Sequence, residues 1–90
     1  MECEWDEAKQ QTNLAKHGID FIDAQRLFDG RSAITIQSSY PDERRFLTTG
    51  IIDDRFVTVV WTMRITIVRI ISARRSRDAE EQAYRALYGR

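Results

Sequence analysis

The 90-residue sequence has one cysteine, one histidine, one proline and four glycines, and these scarcities exclude several classes of protein. The lone Cys3 cannot form an internal disulfide framework or a multi-cysteine zinc site. The lone His17 excludes a histidine-rich metal site. The apolar runs are too short for a transmembrane helix, and no signal peptide opens the chain. We therefore predict a cytoplasmic protein that uses neither a metal nor another cofactor.

The length and the even composition predict one domain over residues 1–90. Ninety residues suffice for one small hydrophobic core and leave no room for a second. No repeat, low-complexity tract or linker rich in proline, glycine or serine divides the chain.

The net charge is zero, but the two halves of the chain are charged oppositely. Residues 1–43 hold nine acids and four bases, whereas residues 44–90 hold ten arginines, no lysine and five acids. Guanidinium groups can bind phosphate oxygens in a bidentate way, so this half is suited to an anionic ligand. Solvated arginines that only balance the acidic half are the alternative interpretation.

The hydrophobic periods predict an α+β fold with the element order α–α–β–β–β–β–α. Because short turns join consecutive strands, the sheet is expected to be antiparallel and flanked by helices. The predicted helices run from an Asp6 cap to about His17, over Asp20–Phe28 and over Ser76–Tyr88. The predicted strands are Ala33–Gln37, Arg45–Ile52, Arg55–Thr62 and Ile65–Ala73.

Caps, turns and packing residues complete the predicted elements. Gly18 is expected to end the first helix and Ser76 to cap the last. The predicted turns are Tyr40-Pro41-Asp42-Glu43, Asp53-Asp54 and Met63-Arg64. Along the first helix Ala8, Thr12, Ala15 and Ile19 share one stripe, and Lys9, Asn13 and Lys16 form a second row. On the last helix Ala83, Leu87 and Tyr84 are predicted to pack.

Chemistry is most strongly suggested by Arg69-Ile-Ile-Ser72-Ala-Arg74-Arg75 at the end of an apolar strand. By strand alternation Arg69 shares a face with Ile67 and Ile71, and a charge there is costly unless it is paired. One interpretation is a cation held ready for a phosphate in a transition state, and the other is a salt bridge to an acid of the N-terminal half. Arg74 has the opposite parity, so the two arginines can serve one site only if the strand ends or bulges near Ser72.

Other aromatic and titratable side chains allow more than one role. His17 follows the end of a helix, where it could act as a general acid, stack on RNA or donate to the last carbonyls. Trp5 before the first helix is expected to be a hydrophobic anchor, and Trp61 in a strand is expected to be core.

At this point the sequence resembles a known family, the BrnT toxins of type II toxin–antitoxin systems. The first signature is Glu4-Trp5-Asp6-x-x-Lys9-x-x-x-Asn13-x-x-Lys16-His17-Gly18-Ile19-Asp20-Phe21. The second and third are Glu43-x-Arg45-Phe46-x-x-x-Gly50 and Arg69-Ile-Ile-Ser72-Ala73-Arg74. Departures from the family pattern are Cys3, the turn at Asp53-Asp54 without glycine, and Ser76.

The resemblance implies a RelE-like fold and a ribonuclease whose expression stops translation and growth. It also implies a BrnA-like antitoxin with a ribbon-helix-helix domain, in a complex expected to hold two toxins and two antitoxins. The complex would contact operator DNA chiefly through the antitoxin, and the toxin's own basic surface would bind RNA.

Metal-free RNA cleavage needs a base for the ribose 2′-hydroxyl, charge stabilisation of the phosphorane and an acid for the leaving oxygen. We assign Arg69 and Arg74 to the transition-state charge, Arg45 to a third clamp and His17 to proton transfer. The residues predicted to bind RNA are Lys9, Lys16, Arg75 and Ser72. Lys9 and Lys16, like His17, are candidates for either substrate positioning or proton transfer. A partner-binding module without catalysis and a sequence-independent RNA-binding domain are the alternatives, since the sequence offers no convincing general base.

Overall fold

The structure is a computed structural model that describes residues 1–38 and 43–89. It is a mixed α+β fold in which these residues form one five-stranded sheet, three α-helices and one 3₁₀ turn. The elements are β1 (Cys3–Trp5), α1 (Glu7–His17), α2 (Phe21–Ala24), the 3₁₀ turn (Gln25–Phe28), β2 (Ala33–Gln37), β3 (Arg45–Ile52), β4 (Arg55–Arg64), β5 (Ile67–Arg75) and α3 (Asp78–Tyr88). The turn predicted at Tyr40-Pro41-Asp42-Glu43 lies outside the described residues except for Glu43.

The strand order is β1-β5-β4-β3-β2, and four of the five strands follow the predicted antiparallel meander. β2 and β3 have the predicted bounds. The expectation of a purely antiparallel, four-stranded sheet was wrong, because β1 pairs with β5 in parallel. The observed element order therefore begins with a strand before α1. Three residues are too few to show a period of two, so the sequence pattern did not indicate this strand.

α1 begins and ends as predicted, but it packs through a polar side chain. The Asp6 side chain accepts a hydrogen bond from the Lys9 N–H, and Gly18 ends the helix with a φ of 71°. Of the stripe formed by Ala8, Thr12, Ala15 and Ile19, the first three residues are exposed. Asn13 is buried instead.

Asn13 joins α1 to the edge of β5. Its side-chain nitrogen donates to the carbonyls of Ile19 and Ala73, and its side-chain oxygen accepts from the Ala73 N–H. β1 covers the edge of β5 only as far as Ile70. Beyond that point the backbone of β5 needs other hydrogen-bond partners, and Asn13 provides them at Ala73.

The second predicted helix is split between α2 and the 3₁₀ turn, which together bury Phe21, Ala24 and Leu27 against the sheet. We call the side of the sheet that receives them the core face. A glycine at position 50 permits this approach, because a Cβ there would lie 2.7 Å from Leu27 Cδ2 and 3.3 Å from the Ser32 carbonyl oxygen. Trp61 belongs to the core, and Trp5 packs against it, as expected of a hydrophobic anchor.

The β3–β4 connection is the predicted tight turn, with Asp53 and Asp54 at φ values of 49° and 64°. The turn predicted at Met63-Arg64 was wrong, because both residues continue β4 and the chain turns at Ile65-Thr66. Ile65 has a φ of 59° and is 98% exposed. A positive φ is unfavourable for a β-branched residue such as isoleucine, so the residue type at position 65 did not predict a turn.

α3 lies on the opposite side of the sheet, which we call the α3 face. Tyr84 is buried and packs edge-to-face on Phe56, whereas Ala83 and Leu87 are exposed, contrary to the prediction. Ser76 is not the cap, since the helix follows Arg77 and the Glu80 carboxylate accepts from the Arg77 N–H. No helix among the described residues is long and apolar enough to cross a membrane.

Candidate functional site

A β-bulge brings Arg69 and Arg74 to the same face of the sheet. Trp61 pairs with Ile70 and Val60 pairs with Ser72, so Ile71 is an extra residue in β5. Arg69 is opposite Thr62 and Arg74 is opposite Thr58, two residues of β4 that point to the same side. The structural condition for both arginines to serve one face is therefore met. Val68 and Ile70, which have the opposite parity to Arg69, are the residues buried in the core.

Charged and polar side chains form a row across the α3 face. Glu4, Arg69, Thr62 and Arg45 are register partners on four neighbouring strands, β1, β5, β4 and β3. Adjacent strands lie about 5 Å apart, so the Cα atoms of Arg69 and Arg45 are separated by roughly 10 Å. Two long guanidinium side chains at this spacing can reach a single phosphate group between them.

Each arginine of the row has an acidic neighbour. Glu4 Oε2 lies 2.6 Å from Arg69 Nη1 and 3.8 Å from Arg64 Nη1. Arg45 Nε donates to Glu43 at 2.8 Å. The salt bridge of Arg69 to an acid of the N-terminal half is thus present, yet the Arg69 side chain is 29% exposed and that of Glu4 34%. An incoming anion can therefore reach this pair.

A cleft of about 440 Å³ opens beside the row, and we call it the outer cleft. Its lining carries four basic side chains against one acid. The lining residues are Lys9, Glu43, Arg44, Thr62, Met63, Arg64, Arg69 and Ile71. This concentration of positive charge in a concave site favours an anionic ligand.

A second depression, the helix groove, runs between α1 and β5. It shares Lys9 and Ile71 with the outer cleft, so the two are contiguous. Its lining residues are Ala8, Lys9, Thr12, Asn13, Lys16, His17, Ile71 and Ser72. Four predicted site residues, Lys9, Lys16, His17 and Ser72, are therefore brought together beside Arg69.

Arg74 lies apart from this group, under α3. Rise along a strand is about 3.4 Å per residue, so the four residue steps from its partner Thr58 to Thr62 separate Arg74 from Arg69 by roughly 13 Å. Both its Nη atoms lie 2.8 Å from the Glu80 carboxylate, and the two side chains are only 15% and 14% exposed. The Arg74 guanidinium lowers the pKa of Glu80 from 4.5 to about 2.

Hydroxyl groups extend the Arg74–Glu80 pair into a network. Thr58 Oγ1 lies 3.1 Å from Glu80 Oε1 and 2.8 Å from the hydroxyls of both Thr49 and Ser76. The network joins β3, β4 and β5 to α3. Arg74 thus has a structural task, whatever else it does.

Arg75 lies on the core face, because it is the register partner of the buried Val57. It lines a separate cavity that also includes Asp23, Asp53 and Arg55. The structure therefore does not bring Arg75 to the outer cleft or the helix groove.

Sequence reasoning missed four charged residues around these sites: Glu4, Arg44, Arg64 and Glu80. Arg64 was assigned to a turn, and Glu80 had no predicted role in a site. Glu4 was part of a quoted signature, but its role depends on β1, which the pattern did not reveal. Among the described residues, no group of three or more His, Cys, Asp or Glu side chains is arranged to hold a metal ion.

The chain was compared with known proteins. A search of curated proteins found no match. A family model described as a ribonuclease toxin, BrnT, of type II toxin–antitoxin systems matches residues 5–80. This span covers α1, every strand except the start of β1, and the beginning of α3. The three signatures in the sequence and this match over most of its length agree, and the chain belongs to the BrnT family of ribonuclease toxins.

Proposed function

We propose that this ribonuclease toxin is a metal-independent endoribonuclease that cleaves RNA by attack of the ribose 2′-hydroxyl in the outer cleft. The observation that carries the proposal is the cluster of Lys9, Arg44, Arg64 and Arg69 around one concave site. Four cationic side chains can hold an RNA phosphate and neutralise the charge that develops on it, which is the principal requirement of this reaction.

The residues around the cleft divide into two roles. Arg69, with Arg45 in the same row, would stabilise the phosphorane. The helix groove, lined by Lys9, Lys16, His17 and Ser72, would bind the neighbouring nucleotides, with His17 or a lysine as a source of protons. Arg74 remains a predicted site residue, but its pairing with Glu80 means that its substitution tests folding as well as catalysis. Arg75 lies on the opposite face of the sheet, which makes its contact with the same RNA segment less favourable.

Membership of the family implies an antitoxin partner. We propose a BrnA-like antitoxin with a ribbon-helix-helix domain, in an assembly of two toxins and two antitoxins that contacts operator DNA through the antitoxin. The five-stranded sheet with flanking helices is consistent with a RelE-like fold. The proposed place of action is the cytoplasm, where cleavage of RNA would arrest translation and growth.

A partner-binding module without catalytic activity is the second candidate. It is favoured by the ion pairs that already occupy Arg69 and Arg74. It is also favoured by the exposure of Leu87 on α3 and of Ile36 on β2, which are 59% and 54% exposed. In this case the charged faces would bind the antitoxin, and the chain would not cut RNA.

The deciding experiment is to follow the integrity of total RNA in bacteria after brief induction of the toxin, with Arg69→Ala as the comparison. Rapid fragmentation and growth arrest, lost in a variant that accumulates and folds normally, would support the ribonuclease. Intact RNA with a folded, well-expressed wild-type chain would favour the partner-binding module. Salt-dependent RNA binding without products would indicate an RNA-binding domain alone.

A further inference from the structure

We propose that Glu4 is the general base that removes the proton from the ribose 2′-hydroxyl, an inference that rests on the proposed RNA cleavage. Glu4 lies on β1 directly beside Arg69, and its carboxylate touches the guanidinium groups of Arg69 and Arg64. Both of these arginines line the outer cleft. The carboxylate is therefore held where the phosphate is expected to bind.

The reaction needs a proton acceptor, and the cleft offers few. Protonated lysine and arginine side chains are donors without an acceptor site. Among the described residues, Glu43 is the acid that lines the cleft, and Glu4 lies beside it, paired with two of its lining arginines. Glu43 precedes β3 and contacts Arg45. Glu4 is fixed within a strand and lies against Arg69.

The atoms of Glu4 leave room for this role. Both ion pairs use Oε2, so neither engages Oε1. The side chain is about one-third exposed, which allows a hydroxyl of the substrate to approach. Glu4 can thus keep its contact with Arg69 while Oε1 accepts a hydrogen bond from the 2′-hydroxyl.

Arg69 can act on the phosphate at the same time. A guanidinium has five N–H donors in a fixed plane, and the hydrogen bond to Glu4 uses Nη1. The 2′-hydroxyl and the 3′-phosphate are attached to adjacent ribose carbons, so their protein partners must also be neighbours. A carboxylate beside a phosphate-binding arginine meets this requirement.

The proposed step is as follows. The 2′-hydroxyl proton passes to Glu4 as the 2′-oxygen forms a bond to phosphorus, and Arg69 and Arg45 stabilise the charge on the phosphorane. The bond from phosphorus to the 5′-oxygen then breaks, and that oxygen takes a proton from the Lys9 ammonium. The products are a 2′,3′-cyclic phosphate and a 5′-hydroxyl, and solvent returns the proton from Glu4 to Lys9.

The test compares Glu4→Gln with Glu4→Ala in the full chain, by RNA cleavage after induction and with a purified RNA oligonucleotide. Glutamine keeps an oxygen acceptor for Arg69 but cannot take the proton. We expect Glu4→Gln to lower the cleavage rate about 10²-fold or more, as loss of a general base typically does. Binding of an oligonucleotide with 2′-deoxyribose at the cut site should change less than about threefold, because the phosphate contacts remain.

The matched control is Glu81→Gln, which alters a glutamate paired with Arg85 on α3, away from the cleft. It should cleave like the wild type. Glu4→Asp keeps the charge but retracts the carboxylate by one methylene, so a partial loss of rate is expected even if the glutamine variant folds poorly. Thermal unfolding of each variant shows whether the fold is retained.

Several outcomes would overturn the assignment. The first is wild-type cleavage by folded Glu4→Gln. The second is a loss of deoxy-substrate binding that parallels the loss of cleavage. The third is a loss of cleavage of this size in Glu43→Gln, with little loss in Glu4→Gln. The second result would make Glu4 a positioning residue for Arg69. A wild-type chain that cuts no RNA in either assay would instead refute the proposed function itself, and the base with it.

Discussion

The two ends of the α3 face use the same kind of ion pair for different purposes. At the covered end, Arg74 and Glu80 meet in a bidentate pair under α3, with both side chains about 15% exposed. At the open end, Arg69 and Glu4 share one short contact and are about twice as exposed. An arginine that a helix shields has a structural role, whereas one beside an open cleft can bind a phosphate in addition to its acidic partner. Residue type and strand position alone do not distinguish them.

The largest effect of a substitution, a loss of RNA cleavage, is expected at the open end. Arg69→Ala should lower RNA cleavage about 10²–10³-fold, as removal of one preorganised donor to a transition state does. Its effect on stability should be below about 1 kcal/mol, because an exposed ion pair contributes little. Cleavage of an RNA oligonucleotide and urea unfolding measure the two quantities. Near-wild-type activity of Arg69→Lys would refute the bidentate role of this guanidinium.

At the covered end the loss should appear in stability. Arg74→Ala leaves the Glu80 carboxylate mostly buried without its partner, which should cost about 3 kcal/mol in the free energy of unfolding. If Arg74 acts only in the fold, cleavage should fall only with the folded fraction. The double variant Arg74→Met/Glu80→Leu should recover most of the stability in urea unfolding, because apolar side chains of similar volume can replace a buried pair. A catalytic Arg74 would instead leave the double variant stable and inactive.

Acid should weaken the covered end. The bond from Arg74 holds the pKa of Glu80 at about 2, below its ordinary 4.5. This stabilisation is therefore complete above pH 4.5 and is lost as the pH falls towards 2, with a maximum of about 3 kcal/mol. Thermal unfolding midpoints between pH 6 and pH 2 test the dependence. In Glu80→Gln this loss of stability in acid should be absent. An unchanged slope of the unfolding midpoint against pH would contradict its assignment to Glu80.

The smallest effect is expected at the margin of the open end, in the helix groove. Lys16→Ala should weaken RNA binding only a few-fold and reduce the dependence of log K on log salt by about one unit, as the loss of one phosphate contact does. Binding of a non-cleavable oligonucleotide at several salt concentrations measures both values. If cleavage falls more than binding does, Lys16 takes part in the chemical step and does not only position the RNA.

Much of the sheet and the ends of α1 could be predicted, because they depend on local signals in the sequence. Ala33–Gln37 alternates between apolar and polar residues, and both this strand and Arg45–Ile52 have the predicted bounds. Asp6 and Gly18 set the ends of α1 as their side-chain and backbone chemistry indicates. Each of these features depends on residues near one another in the sequence.

The open end was harder to predict, because it is assembled from distant segments. The Glu4–Arg69 pair joins residues 65 positions apart and requires β1, whose three residues show no period. The extra residue at Ile71 shifts the alternation of β5, so Arg74 reaches the face of Arg69 although the two have opposite parity in the sequence. The apolar residues around Arg69 did not reveal which face is buried, since Val68 and Ile70 form the core there. A bulge depends on pairing with the neighbouring strand, which no single segment encodes. The arginine cluster itself was found because its composition is unusual.

The hydrogen bonds of Asn13 have a consequence for the behaviour of the chain in solution. An uncovered strand edge is a template on which a strand of another molecule can add. By engaging both backbone groups of Ala73, one amide side chain takes the place that a sixth strand would fill. The substitution Asn13→Ala would expose the backbone groups of Ala73 at this edge, and the chain would then self-associate as its concentration rises. The amide therefore helps to keep each copy separate.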